Sequence, residues 1–193
     1  MIKRLIKGAF RRLLRLGRRL KFQLLSTNTW TGHAPKQNQA LLLAGLGTIT
    51  FQTNVRIGVP SSPKFWSSEC YIEARSASAK IEIGRNTWIN NNFSAISNSG
   101  SISIGEKCLI GHDVFIIDSD FHPIDPDLRH KGTKSTSQPV CIGNNVFIGS
   151  HVTILKNTFI GDGSVVAAGA AVSGTFPSRS LIVGNPAKLA RIL

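Results

Sequence analysis

From Ile142 to Val172 an aliphatic side chain returns at every sixth residue: Ile142, Ile148, Ile154, Ile160, Val166 and Val172. Gly143, Gly149 and Gly161 directly follow three of them. Four places after successive aliphatics come Val146, Val152, Thr158, Ser164 and Ala170, all small or β-branched. The register also covers Ile104, Ile110 and Ile116, with Gly105 and Gly111 behind the first two. It returns more loosely in Tyr71, Ala77, Ile83, Ile89 and Ala95, and at Ile49 and Val55. Six hexads in phase are the signature of a solenoid, in which each repeat buries its apolar residue only against its neighbours. Each hexad reads as a short strand with one aliphatic pointing inward. Three hexads close a triangular coil, and stacked coils share backbone hydrogen bonds. The small fifth residue fits the crowded corner, where glycine or asparagine (Asn86, Asn144, Asn145, Asn157) tolerates the turn conformation.

The first 25 residues obey a different rule. They hold nine of the 23 Lys/Arg and no acid, so the other 168 residues carry 14 bases against 10 acids. Ile2, Leu5, Ile6, Ala9, Phe10, Leu13, Leu14 and Leu20 recur at helical spacing, opposite Arg4, Lys7, Arg11, Arg12, Arg15, Arg18 and Arg19. The arginines interrupt any signal-peptide core, and no serine precedes Ser26, unlike a mitochondrial presequence. The expectation is therefore an uncleaved basic amphipathic helix lying on an anionic membrane surface. The alternative is a helix packed on its own domain or on sister subunits. Nucleic acid is not expected, because interleaved aromatics and a reading module are missing. No apolar run, such as 40–47, approaches a membrane span. Cys70, Cys108 and Cys141 are too few and too scattered for a disulfide framework, and read as small core residues in a reducing compartment.

The repeat breaks after Ile116. The next hexad position is His122, followed by a polar stretch to Pro139 with Asp125, Asp127, Arg129, His130 and Lys131. A loop thrown out of a rigid solenoid is a natural place for function. An imidazole suits proton abstraction near neutral pH, and Asp118 and Asp120 are near enough to orient it.

Several segments carry a family resemblance: 89–93 (Ile-Asn-Asn-Asn-Phe), Phe121-His122-Pro123, 142–151 (Ile-Gly-Asn-Asn-Val-Phe-Ile-Gly-Ser-His) and 184–188 (Gly-Asn-Pro-Ala-Lys). Across about residues 81–191 the chain resembles the hexapeptide-repeat acyltransferases, closest to the galactoside, maltose and polysaccharide O-acetyltransferases. The resemblance implies an all-β left-handed parallel β-helix assembled as a homotrimer. It implies acetyl-CoA as co-substrate, direct transfer to a carbohydrate hydroxyl, and no metal. Matched onto this chain, the catalytic set is His122 as general base, Asp120 beside it, and Ser150 at the thioester oxyanion. Ser150, Ala168, Gly169, Lys188 and Arg191 fall on the cofactor side, and Asn92 and Arg129 on the acceptor side. Phe147 replaces a tryptophan of the relatives, and Ser173-Gly174-Thr175 lacks their cation.

The expected organisation is a basic helix (1–25), a connector (26–48), the β-helix (49–176) with its loop (121–139), and a C-terminal CoA-side segment (177–193). A second loop at 57–69, with Pro60, Pro63 and Trp66, is left without a role. The expected place of action is cytoplasmic, peripheral at the inner face of a membrane. Its acceptor would be a surface polysaccharide or lipid-linked precursor. Two other readings stand beside this one: N-acetylation of a nucleotide-linked amino sugar, and a catalytically silent scaffold. Hexapeptide-repeat carbonic anhydrases place two zinc histidines five residues apart. No pair among His33, His112, His122, His130 and His151 has that spacing, and His33, His112, His130 and His151 read as surface residues.

Overall fold

The computed structural model describes residues 2–131 and 136–193, with side chains from residue 6 onward. A helix, Ile2–Leu25, precedes a body built of short, mostly parallel strands. The strands fall into three walls, and the chain visits them in rotation.

On the first wall, Thr31–Gly32, Thr48–Phe51, Lys80–Ile83, Ser101–Ile104 and Val140–Ile142 lie side by side, followed by the second half of Thr153–Ile160. The second wall stacks Lys36–Gln37, Arg56–Ile57, Trp88–Ile89, Leu109–Ile110, Phe147–Ile148, Val165–Val166 and Ser180–Gly184. The third stacks Leu41–Gly45, Cys70–Ala74, Ser94–Ser97, Phe115–Ile117, the first half of Thr153–Ile160 and Ala171–Phe176. Thr153–Ile160 bends from the third wall to the first, which joins those two into an 11-stranded sheet beside the 8-stranded second wall.

The hexad aliphatics supply the core by stacking on themselves. Phe51, Ile83, Ile104, Ile142, Ile160 and Phe176 form one inward column, and Ile57, Ile89, Ile110, Ile148, Val166 and Ile182 another. All are buried, as are the fifth-place residues Val146, Val152, Thr158, Ser164 and Ala170. Each inward side chain touches its counterparts one coil above and below, so removing one leaves a cavity with no mobile neighbour to fill it.

Coil length sets where the loops emerge. Ile142 and Ile160 pair 18 residues apart, the length of three hexads. Ile83 and Ile104 are 21 apart, with the excess held in the corner at 98–100. Ile104 and Ile142 are 38 apart, because the segment 118–139 is expelled between the third and first walls. Ile57 and Ile89 are 32 apart, mostly through the segment 58–69, expelled between the second and third walls.

The extra corner residues correct the early register. Tyr71 and Ala77 are not inward; Ile72 and Ala79 are buried in their stead, and Ile72 stacks on Ala95. Residues 26–48 are likewise not a connector, since Thr31–Gly32, Lys36–Gln37 and Leu41–Gly45 pair with the next coil. Within the 177–193 segment, Ser180–Gly184 continues the second wall, and Ala187–Ile192 folds back on it antiparallel. Of the expected loop 121–139, residues 132–135 lie outside the described residues.

The corners show why particular residues recur. Asn54, Asn86, Lys107, Asn145, Gly163 and Arg179 stand above one another in the left-handed conformation where the first wall turns into the second. Just before that turn the coils touch through backbone: a Cβ on Gly105 would lie 2.4 Å from the Gly143 carbonyl oxygen. No side chain fits there.

Candidate active site

The turn from the second wall to the third is a ladder of peptide groups. Asp113 N donates to Asn91 O (3.0 Å), His151 N to His112 O (2.9 Å) and Gly169 N to Ser150 O (2.9 Å). Asn92, Asp113, His151 and Gly169 all take positive φ there, which makes them equivalent positions of successive coils. Stacking therefore brings Asn92, Ser150, Ala168 and Gly169 onto one edge, although they span 78 residues from Asn92 to Gly169. Ala168 and Gly169 are exposed backbone on this edge, and Ser150 is half-buried.

This edge holds a cluster that sequence spacing did not reveal. His112 Nδ1 donates to Asp113 Oδ2 at 2.7 Å, His151 Nδ1 stands 3.7 Å from the same oxygen, and Asn92 Nδ2 donates to Oδ1. The two imidazoles meet edge to face, 4.8 Å between centroids. Burial alone raises the Asp113 pKa, but the bonds from Asn92 and His112 and the nearby imidazoles outweigh it and hold the carboxyl below its usual range. Two histidines and an aspartate within 4.8 Å are also a zinc-type donor set, the one such group among the described residues. Both carboxylate oxygens already have partners, however, so the arrangement suits fixing the Asn92 amide better than holding an ion. His112 and His151 lie one coil apart, and that coil is lengthened by the expelled loop. Their separation in sequence therefore hid their contact.

His122 lies on a different edge, where the third wall turns toward the first. The loop that carries it has a rigid root. Asp118 is fully buried and accepts hydrogen bonds from Ser97 Oγ (2.6 Å), Asn98 N (2.7 Å) and Gly100 N (2.9 Å). Its carbonyl accepts Gln138 N at 2.8 Å, and Ser119 bridges Ser137, so the departing and returning strands are tied together. Phe121 has φ 60, a conformation that costs a bulky residue about 1–2 kcal/mol. Its ring under the Arg75 guanidinium (4.7 Å) and its N–H on Ser119 Oγ (3.1 Å) hold it there. His122 follows immediately, exposed, its N–H on the Asp120 carbonyl at 2.7 Å.

The expected Asp118–Asp120–His122 alignment is corrected by these contacts. Asp118 is consumed by the corner at 97–100, and the Asp120 carboxylate is paired with Lys156. No described side chain hydrogen-bonds the His122 ring. Arg129 turns back on its own loop and donates to the Ile124 carbonyl (2.8 Å). Lys188 and Arg191 are exposed on the terminal strand. A single copy therefore does not bring His122 to Ser150 and Asn92, because the strand Phe115–Ile117 separates the two edges.

Two further features bear on the chemistry. Burial pushes the Cys70 thiol up to about 12 and also raises Cys108 and Cys141, so none of the three is an activated nucleophile. On the outer face of the second wall, Trp88, Leu109, Phe147, Val165 and Leu181 form a column in register. Trp88, Leu109 and Phe147 are about half exposed in the single chain.

Residues 139–173 match the family model described as the hexapeptide repeat of succinyl-transferase. Galactoside O-acetyltransferase of Escherichia coli (strain K12) is 37% identical over 116 residues, covering 60% of this chain and 56% of the relative. The chain is similar to the hexapeptide-repeat acyltransferases. WbbJ of Escherichia coli (strain K12), named for O-acetyl transfer in lipopolysaccharide biosynthesis, is 36% identical over 110 residues, 51% of this chain and 54% of the relative. The chain thus spans little more than half the length of these curated relatives. Among solved structures, the polySia-specific acetyltransferase NeuO superposes with a TM-score of 0.58 at 28% identity, covering 84% of this chain and 69% of that one. Galactoside acetyltransferase in complex with coenzyme A shares the fold at 24% identity and a TM-score of 0.55, covering 93% and 80%.

Proposed function

We propose that this chain is an acetyl-CoA-dependent O-acetyltransferase acting on a sugar hydroxyl of a surface polysaccharide or its lipid-linked precursor. Its coils wind left-handed, as the family resemblance implies, and it works as a homotrimer in the cytoplasm at the inner face of a membrane. The observation that carries the reading is the rigid root that holds His122 exposed at the mouth of the expelled loop.

The trimer completes the site. One copy contributes His122, and the partner's Ser150 and Asn92 edge faces it. The apolar column Trp88–Leu109–Phe147, adjoining that edge, is the surface between them. Introducing a charge there with Leu109→Glu is expected to dissociate the assembly in light scattering and to abolish turnover while acetyl-CoA contacts within one copy persist. A monomeric wild type sinks this part.

In the reaction, neutral His122 takes the proton of the sugar hydroxyl as its oxygen attacks the thioester carbon. The tetrahedral oxyanion accepts a hydrogen bond from Ser150 Oγ. Collapse breaks the carbon–sulfur bond, and the departing thiolate takes from the imidazolium the proton that came from the sugar hydroxyl. Asn92, aligned by Asp113, orients the acceptor. The pantetheine arm runs past Ala168 and Gly169, with Lys188 and Arg191 toward the nucleotide phosphates. Asp120 enters only through its backbone carbonyl, and Arg129 through the loop it braces.

The coenzyme A bound to galactoside acetyltransferase and the polysaccharide-directed names of WbbJ and NeuO support donor and acceptor class. The test is calorimetric titration with acetyl-CoA, followed by an acceptor panel scored for ester against amide products. Saturable binding and ester formation are expected. Amide products would favour the amino-sugar reading, and no binding at millimolar donor the scaffold.

A further inference from the structure

The helix Ile2–Leu25 meets its own domain with the unexpected face. Arg15, Arg18, Arg19 and Phe22 are its partly shielded positions, and they cluster on the basic side. Ile6, Phe10, Leu13, Leu20 and Leu24, on the opposite side, are between 50% and 85% exposed. The body does not cover the apolar stripe. Arg11, Arg12, Arg15, Arg18, Arg19 and Lys21 have no acidic partner within 4.0 Å among the described residues, and 1–25 contains no acid.

The helix is nevertheless not loose. Arg18 donates to the Trp66 carbonyl and to the Ser68 carbonyl (2.6 Å). The 58–69 segment that supplies these acceptors is bolted to the body. Buried Asn91 donates to the Val59 carbonyl (2.9 Å) and the Pro63 carbonyl (2.8 Å) and accepts Val59 N (3.0 Å). Gln39 donates to the Lys64 and Ser68 carbonyls (3.0 Å each) while its oxygen accepts Asn92 N (3.1 Å). A chain of hydrogen bonds therefore runs from the helix, through this loop, to the peptide that carries Asn92.

We infer that the apolar face of this helix is a docking surface for an anionic lipid bilayer, and that the 58–69 loop is a strut fixing the acceptor edge relative to that bilayer. An apolar stripe flanked by uncompensated cations fits the boundary between acyl chains and anionic headgroups. A second copy fits less well, because it would bring two acid-free, strongly basic helices together. The inference deepens the proposed function by making the acceptor membrane-anchored, within reach of the Asn92 edge. Its test needs neither donor nor acceptor, so it stands or falls separately.

The probe is vesicle co-sedimentation of the full chain, using phosphatidylcholine alone or with about one-third phosphatidylglycerol. Binding at least about tenfold tighter to the anionic vesicles, weakening with added salt, is expected. Leu13→Glu combined with Leu24→Glu should weaken it by about tenfold or more with an unchanged thermal midpoint, since both side chains are exposed. Arg18→Ala, which touches the strut and not lipid, should leave it within about twofold. Equal binding to neutral vesicles, or a double variant that still binds, overturns the inference. So does a double variant that loses a subunit in light scattering, which would give the face to a second copy.

Discussion

Replacing His122 with alanine is expected to lower acetyl transfer by about 10²–10⁴-fold, the range supplied by a positioned general base. The acetyl-CoA dissociation constant should stay within about twofold, because the imidazole would meet the acceptor proton and not the donor's nucleotide. The two readouts belong together. Loss of turnover with intact donor binding assigns His122 to chemistry, whereas parallel loss of both would mean the loop had collapsed. Circular dichroism and the thermal midpoint should match wild type, since the ring is exposed and bonded to no described side chain. Undiminished turnover would remove His122 from the mechanism. By contrast, Asp120→Asn is a mild change here, because its carboxylate meets Lys156 and not the imidazole.

The second large effect is on stability. Asp118→Ala leaves the Ser97 hydroxyl and the Asn98 and Gly100 N–H groups without their acceptor at a corner where the Asp118 and Ser97 side chains are fully buried. Unsatisfied buried donors cost about 1–3 kcal/mol each. Partial rewetting reduces the sum, so a loss of about 3–5 kcal/mol is expected, near the upper end for single substitutions. At about 2–4 °C per kcal/mol for a chain of this size, the midpoint should fall by roughly 10 °C or more at fixed protein concentration. Asp118→Asn should fall between, since its oxygen can take the Oδ2 position and accept from Ser97 and Gly100 while the new amide confronts only the Asn98 N–H. The same substitutions should raise hydrogen exchange at Gln138, whose N–H is bound to the Asp118 carbonyl, because the root of the loop opens with the corner. A midpoint shift under about 3 °C would show that the corner has another acceptor.

These two aspartates separate what each level of description can reach. On sequence alone Asp118 and Asp120 are interchangeable neighbours of His122. Their roles diverge because the corner at 98–100 has surplus residues whose N–H groups converge on Asp118, while the next coil brings Lys156 beneath Asp120. The strut is a similar case. Trp66 and the prolines mark 58–69 as a loop, but its attachment to Arg18, Gln39 and Asn91 joins residues up to 50 positions apart.

Much was determined by the sequence itself. A six-residue period specifies which side chain of each short strand points inward, and every later coil, from Ile142 to Val172, obeys it. The amphipathic start, the expelled loop and His122 at its mouth are local patterns, so they are legible without a structure. Only the tertiary structure decided the early register, the coil built from 31–45 and the convergence of Asn92, His112, Asp113 and His151. It alone decided that the helix turns its basic face inward and its apolar face out. The physical reason is common to all of these. A stacked coil makes neighbours of residues separated by one circuit, and the length of each circuit depends on corner insertions and expelled loops whose size no local pattern announces.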